Sequence, residues 1–456
     1  MTVFSFSLLT PSISSEAMLA VVDDRARLQR MLDFEIALVR ALAALGLVPA
    51  LATDKVSEAA KIEKYDLAKL GEEAVRAGDI ATPVVKALTD EVAKTDSAAA
   101  RFVHWGASNQ DLTDTTQVLE LRAGIDVLLI DLGKAIDSFT ALAGRHRRTA
   151  SLGRTTLQHA LPLPLGLKIA NYANALARSR DRLRRLRKEA LVLQFGGRVG
   201  TLAALGERGL QVTERLAALL DLPAPEAPWL GHSDRLAEVA AAIAIMTGSC
   251  GKIARDIALM MQTEVAEAFE PAPRVTDIAS AMPHKRVPVL AATALSAATI
   301  VPNLLATIVA GQVQEHERGV GGGQAQWHTF PALLLASSSA ISAIATIAQG
   351  LDVDPERMRS NLEVTHGLIM GEAVVNSLST KLSREASEII VEEASRKAIA
   401  EKRHLNTVLS EDPRVTAHMT PGELARLFEL MNYQGSAQTF IERIVGALQA
   451  RGMKRI

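Results

Sequence analysis

Polar residues able to do chemistry gather in four short stretches of a chain that is otherwise apolar and helix-prone. They read HWGASNQD at 104–111, GRTTLQHALPLPLG at 153–166, DIASAMPHKRVPVLAAT at 277–293 and QEHERG at 314–319. Each falls at an expected helix end or in a break between helices. In the third, Pro283 and Pro288 deny the backbone a regular helix, and the break places Met282, His284, Lys285 and Arg286 together. The formal net charge is only −1. No global field therefore draws nucleic acid or a membrane surface, and a charged ligand has to be held by such a local cluster. Each stretch also has a plainer reading. Ser108 and Asn109 suit the cap of a following helix, His104 an ordinary partly buried histidine, Glu315 and Arg318 an i,i+3 pair on a solvated helix face, and MPHKR a surface turn anchored by Met282.

Rival chemistries are poorly served. There is no HExxH pattern, and the nearest carboxylate–histidine set, Glu315, His316 and Glu317, is consecutive and faces different ways on a helix, so no metal site is expected. No GxSxG elbow appears for a serine hydrolase. The glycine clusters GGRVG and GVGGGQ match neither a GxGxxG nor a Walker loop; they read as turns or a mobile flap, and no cofactor is expected. Cys250 is alone, so there is neither a disulfide framework nor a thiol-based metal site. The N-terminal stretch lacks a basic n-region, and no run reads as long and apolar enough to span a bilayer, which makes a reducing cytoplasm the expected setting.

The elements that must position these stretches are helical. Of 456 residues, 48% are hydrophobic but only 4% aromatic, and 17 Pro and 29 Gly are few for this length, a mix that favours helix over a sandwich or barrel. Leu28, Met31, Leu32, Ile36, Val39 and Leu42 repeat with helical period over 23–47, with Gly46 placed to end that helix. Long helices are expected from about 111, capped by Asp111 or Asp114, over 165–193, over 235–270, near 289–318 and near 330–350. They make an all-α architecture with a long central bundle, whose Ala, Ile and Met faces exceed what one partner could cover and point to a core shared between subunits. Domain boundaries follow the change in helix length: an N-terminal helical domain 1–110, a bundle domain 111–354 and a small C-terminal helical domain 355–456.

Taken in order, the four stretches resemble the fumarase/aspartase superfamily, and the third looks like its signature loop, GSSxMPxKxNP. DRARLQRMLDFEIAL, VHWGASNQD, LQFGG, GTLAALG and QEHERG are similar to the branch that lactonises 3-carboxy-cis,cis-muconate, and the resemblance runs from about residue 8 to 450. It implies a three-domain all-α subunit and a homotetramer whose active sites are shared between subunits. The chemistry it implies is addition or removal of a group across a carbon–carbon double bond next to a carboxylate, without a metal or cofactor.

The departures narrow that expectation. Amine-releasing lyases of the superfamily resemble RTHxQ at the second stretch, and here Thr156 stands in place of the histidine; the glutamate that supports it is replaced by Ala292. An elimination needing that proton donor is disfavoured, whereas lactonisation is not, because its nucleophile is a carboxylate already ionised at neutral pH. The loop itself carries Ile278, Ala279 and Val287 where the pattern has Gly, Ser and Asn. The proton then comes from Ser280, one place later, or from another group or water. The resemblance implies a small polyanionic substrate, with Ser280 and Lys285 catalytic and with His104, Ser108, Asn109, Arg154, Thr155, Gln158, Met282, His284, Arg286 and Arg318 binding it. The altered loop extends the expectation to a muconate with another anionic 3-substituent, such as a sulfonate. The alternatives are a fumarate-releasing lyase of the same superfamily and a catalytically inert structural relative.

Overall fold

The computed structural model describes residues 9–271 and 285–453. Among them, six long helices carry the architecture: α1 (Asp24–Ala44), α2 (Asn109–Arg145), α3 (Leu165–Glu189), α4 (Asp234–Met260), α5 (Val289–Ala310) and α6 (Gly322–Gly350). Four short strands pair antiparallel in two sheets: β1 (Ala150–Thr155) with β2 (Gln158–Pro164), and β3 (Ala268–Phe269) with β4 (Asp352–Val353). The expected all-α class holds, with these hairpin-sized additions.

The backbone forms two compact units, each drawn from three chain segments. The first takes residues 1–133, 178–251 and 293–343; the second takes 134–177, 252–292 and 344–456. The segment 111–354, expected as one bundle domain, contributes to both.

In the first unit, the apolar period of α1 is buried at Leu28, Met31, Leu32, Val39 and Leu42, while Ile36 is half-buried and Leu38 joins the enclosed face. On the same helix Arg27 forks onto the buried Glu120 carboxylate of α2, with Nη2 2.9 Å from Oε1 and Nε 3.2 Å from Oε2. Deeper in the unit, Thr247 donates to Ser337 Oγ at 2.9 Å, so these two enclosed hydroxyls are paired.

The second unit builds its C-terminal part on Val374, Leu378, Ile390, Val391, Leu405, Leu409, Val415 and Leu424. A smaller cluster seats Leu152 of β1 against Leu362, Met370 and Ala373.

Among the helix ends that differ from the sequence expectation, three do so for a clear local reason. The cap of α2 is Ser108, not Asp111 or Asp114: Asp111 N–H donates to Ser108 Oγ at 3.3 Å while the Asp111 carboxylate receives Ser108 N–H at 2.8 Å. That is a reciprocal box at capping position and third residue. Helix α4 ends at Met260 instead of near 270, because Ala266 adopts a φ of 50° and Glu267 N–H returns to Met260 O at 2.9 Å, turning the chain into β3. Helix α5 ends at Ala310, so QEHERG is loop, with His316 at a φ of 51°. The Glu315–Arg318 helix-face pair is not made; the Glu315 carboxylate accepts Val320 N–H instead.

The membrane expectation also changes. By length and composition α4, α5 and α6 could each cross a bilayer, since alanine and isoleucine raise their hydropathy and at most two charges fall within the apolar window. The most apolar window of α6 is 89% buried within the chain's own fold and that of α4 61%, whereas α5 buries only 22%.

Candidate active site

The expected site residues divide between the two units, and Ser280, Met282 and His284 lie outside the described residues.

In the first unit, the start of α2 is held by a buried carboxylate. Asp111 is fully enclosed, and besides Ser108 N–H it receives Gln194 Nε2 at 3.1 Å and the backbone N–H groups of Gly196 and Gly197, both at 2.9 Å. Burial pushes this carboxyl up, and the hydrogen bonds pull the other way. The arrangement explains LQFGG. Gly197 has a φ of 67°, and a side chain on Gly196 would meet Pro228 at 2.6 Å, so the backbone can present two successive N–H groups only with glycine there. Gln194 meanwhile accepts from the backbone of Trp229 and Leu230, at 2.9 and 3.2 Å. What read in sequence as a turn or flap is a fixed brace under Ser108 and Asn109.

The polar side chains raised on that brace meet Arg318. Its Nε donates to Gln110 Oε1 at 2.6 Å and its Nη2 stands 3.5 Å from Ser108 Oγ. Asn109 donates to Thr82 Oγ1 at 2.8 Å and lies 3.3 Å from Asp79 Oδ1. A cavity of about 230 Å³ opens here, lined among others by Asp79, Asn109, Gln110, Asp114, Gln117 and Arg318. Ser108, Asn109 and Arg318 are thus brought together within one chain. Gln110, Asp114, Gln117 and Gln194 were missed. The S-x-x-D spacing at 108–111 was the one available signal, and it pointed to a cap, not to the donors that converge on it.

His104 is turned away from this role. Its Nδ1 lies 2.6 Å from Glu35 Oε1, its backbone N–H donates to Glu35 Oε2 at 3.0 Å, and its φ is 59°. Burial alone would lower the imidazole, but the Glu35 carboxylate, together with Asp111 and Asp79, more than offsets it and holds His104 above its ordinary value. The sequence raised the plain reading of a partly buried histidine, and the geometry fits that reading better than substrate binding.

In the second unit, GRTTLQHALPLPLG is the β1–β2 hairpin, not a helix junction. Thr155 pairs with Gln158 across a two-residue turn whose central residues, Thr156 and Leu157, have φ of 48° and 65°. Such a turn normally takes Asn or Gly, so a β-branched Thr and a Leu here store strain at an exposed tip. Thr155 and Gln158 are presented there together, both exposed.

Arg154, one residue back, is already occupied. Its Nη1 and Nη2 fork onto Glu267 at 2.9 and 2.6 Å; Glu267 is 1% exposed and also receives Asn361 Nδ2 at 2.8 Å. The expectation that Arg154 binds substrate is not met in this arrangement, because its guanidinium neutralises an enclosed carboxylate. Arg286 is likewise engaged: it lies 4.0 Å over the Phe269 ring, 3.3 Å from Asp352 and 3.2 Å from Glu270 O, clamping β3 to β4. Glu270 in turn receives the N–H groups of Leu290 and Ala291 at 2.9 and 3.0 Å, an anion on the positive end of α5. Lys285 is exposed just before that helix.

Comparison with known proteins supplies the family. Residues 11–302 match the family described as Lyase, and 367–444 match the adenylosuccinate lyase C-terminus. The chain is 57% identical to a 3-carboxy-cis,cis-muconate cycloisomerase of Bradyrhizobium diazoefficiens, over 97% of this chain and 98% of the relative. It is 45% identical to the enzyme of that name in Pseudomonas aeruginosa, covering 96% and 95% respectively. In structure it superposes on the crystallised 3-carboxy-cis,cis-muconate lactonizing enzyme of Pseudomonas putida with a TM-score of 0.93, at 44% identity, covering 97% of this chain and 99% of the other. Matched along nearly its whole length in both sequence and fold, the chain belongs to the 3-carboxy-cis,cis-muconate cycloisomerase branch of the fumarase/aspartase superfamily.

Proposed function

We propose that this protein is a cycloisomerase, an intramolecular lyase that converts 3-carboxy-cis,cis-muconate to 4-carboxymuconolactone in the breakdown of aromatic compounds. The observation that carries the reading is the whole-length relationship to cycloisomerases at 45–57% identity, and the Arg318 cavity is chemically suited to it. The substrate is a small tri-anion. One carboxylate oxygen attacks the distal alkene carbon and forms the C–O bond of the ring. The alkene electron pair moves onto the adjacent carbon and is delocalised into its carboxylate, and a proton then adds to that carbon, so the trianion plus one proton becomes a dianionic lactone.

Positive charge placed where the delocalised charge grows lowers this barrier most, because it acts more strongly on the transition state than on the ground state. Arg318, oriented by Gln110, suits bidentate capture of one carboxylate. Lys285 is the second cation, and Ser280 is one candidate for delivering the proton. Replacing Lys285 with Ala should cost about 10²–10³-fold in kcat, the scale for a removed oxyanion donor, while gel filtration shows an unchanged assembly; near-normal turnover would remove Lys285 from the mechanism.

We further propose a homotetramer in which each active site is completed by neighbouring subunits, in a cytoplasmic setting. The exposed apolar surface of α5 supports the assembly, since a 22-residue helix this poorly covered is out of place on a soluble monomer. The lone, buried Cys250 suits a reducing compartment. The test of the activity is steady-state kinetics on 3-carboxy- and 3-sulfo-muconate side by side, following loss of the diene absorbance. Turnover of the carboxy compound supports the reading, and fumarate release from succinyl adducts without muconate turnover overturns it. A 3-sulfo substrate that reacts comparably widens the reading to other anionic 3-substituents.

A further inference from the structure

Two residues that line the cavity beside Arg318 each carry a polar atom left unanswered among the described residues. Asp114 and Gln117 line the cavity, and their Oδ2 and Nε2 atoms are shielded from solvent without a hydrogen-bond partner among the described residues. They sit three apart on α2, which puts them on one face of the helix. Asp114 as a residue is only partly buried, because it borders the cavity, but this oxygen is closed off. A shielded carboxylate oxygen and a shielded amide left without partners are costly unless a ligand supplies them.

The charges that face Asp114 come from three directions. Arg318 reaches in from the 311–321 loop and favours the ionised form; Asp111 opposes it from the preceding turn of α2; Asp79 lines the cavity from the segment before 81. The remaining polar groups around it are neutral, among them Gln110, which favours the ionised Asp114 and receives Arg318, with Gln117, Ser233 and Gln326. One cation therefore faces three acidic side chains in a site meant to hold a polyanion. A bound substrate carboxylate close to Asp114 makes it impossible for both to be fully ionised, as for any two carboxylates sharing a site.

We propose that Asp114 is a substrate-binding residue of this cavity, whose carboxyl shares a proton with one carboxylate of the bound polyanion while Gln117 Nε2 donates to the same group. This rests on the cycloisomerase reading and adds to it a proton taken up on binding. That proton is distinct from the one added to carbon. It stays on the Asp114–carboxylate pair and is released with product. Burial raises the Asp114 carboxyl to about 7 before any substrate arrives, so the group is poised to accept it.

The test is the pH dependence of KM for 3-carboxymuconate from pH 6 to 9, a range in which the substrate's own carboxylates stay ionised. In the unaltered enzyme KM should rise about tenfold per pH unit once Asp114 ionises in the free protein. Asp114→Asn, a permanently neutral donor of the same shape, should abolish that slope; a purely structural role would leave the slope in place while lowering stability. Should Asp114→Asn fail to fold, titration calorimetry of the unaltered enzyme with tricarballylate, an unreactive tricarboxylate, in two buffers of different ionisation enthalpy reads the same proton. Net uptake approaching one proton near pH 8 supports the proposal. A flat KM profile in the unaltered enzyme, a slope that survives in Asp114→Asn, or zero proton uptake each overturns it. If the unaltered enzyme does not turn over the muconate at all, the cycloisomerase reading falls first.

Discussion

Arg318 and Arg154 were equivalent in the sequence, two arginines in polar stretches at helix junctions, yet their surroundings make them opposites. Arg318 is exposed and, among the described residues, its hydrogen bonds go to neutral groups, Gln110 and Ser108, with no carboxylate in ion-pair contact, so its guanidinium remains available to a ligand. Arg154 is forked onto Glu267, a carboxylate with 1% exposure that would be intolerable without it. A cation held by uncharged hydrogen-bond acceptors is oriented for an incoming anion, whereas one held by a buried carboxylate is part of the scaffold. The same contrast separates Lys285 from Arg286, which clamps β3 to β4.

The largest expected effect is on the available arginine. Arg318→Ala should lower kcat/KM for 3-carboxymuconate by about 10²–10³-fold, the scale for a lost electrostatic partner of the transition state, with the thermal midpoint unchanged. A normal midpoint with normal kinetics would break the contrast at its functional end. Arg154→Ala should do the reverse. Leaving Glu267 buried and uncompensated costs about 3–5 kcal/mol of stability, visible as an earlier denaturant midpoint. Replacing Glu267 by Gln in the same chain should recover part of it, because the uncompensated charge is then gone. Should Arg154→Ala keep its stability and lose only activity, the guanidinium is a substrate ligand after all and the contrast is wrong.

The smallest effect concerns His104, which sharpens the comparison by giving a paired cation that titrates. Its value in the folded protein is raised, so its pairing with Glu35 adds stability that is fully present below the ordinary histidine range and is lost as pH rises through the folded value. The stability difference between the unaltered protein and His104→Gln should therefore be greatest near pH 6, at about 1.5–3 kcal/mol for a charge-assisted hydrogen bond, and shrink toward pH 9. A difference that grows with pH instead would mean that the imidazole is neutral in the fold.

Much of the architecture was legible because helical periodicity is a local property. The starts of α3 and α4 lie within a residue of the positions expected from apolar spacing, and α6 ends at the expected Gly350. The expected start of α6 near 330 was too late, since Pro331 is carried inside the helix. The β1–β2 hairpin escaped notice because its turn residues, Thr156 and Leu157, carry none of the Asn or Gly signal that marks such turns. The true end of α4 was hidden too, since nothing in EVAEAFE announces that Ala266 will take a left-handed backbone.

Alone, the sequence determined that the chain is helical, where its long helices run, that its polar residues collect at their ends, and to which superfamily it is similar. These follow from side-chain type and spacing within a few turns of chain. Only the tertiary structure decided which cation is available and which is consumed, and which carboxyl is left without a partner. Glu267 lies 113 residues from Arg154, and Gln110 lies 208 from Arg318. Whether a charge is neutralised depends on what stands within about 3–4 Å of it, a distance that folding sets and sequence spacing does not.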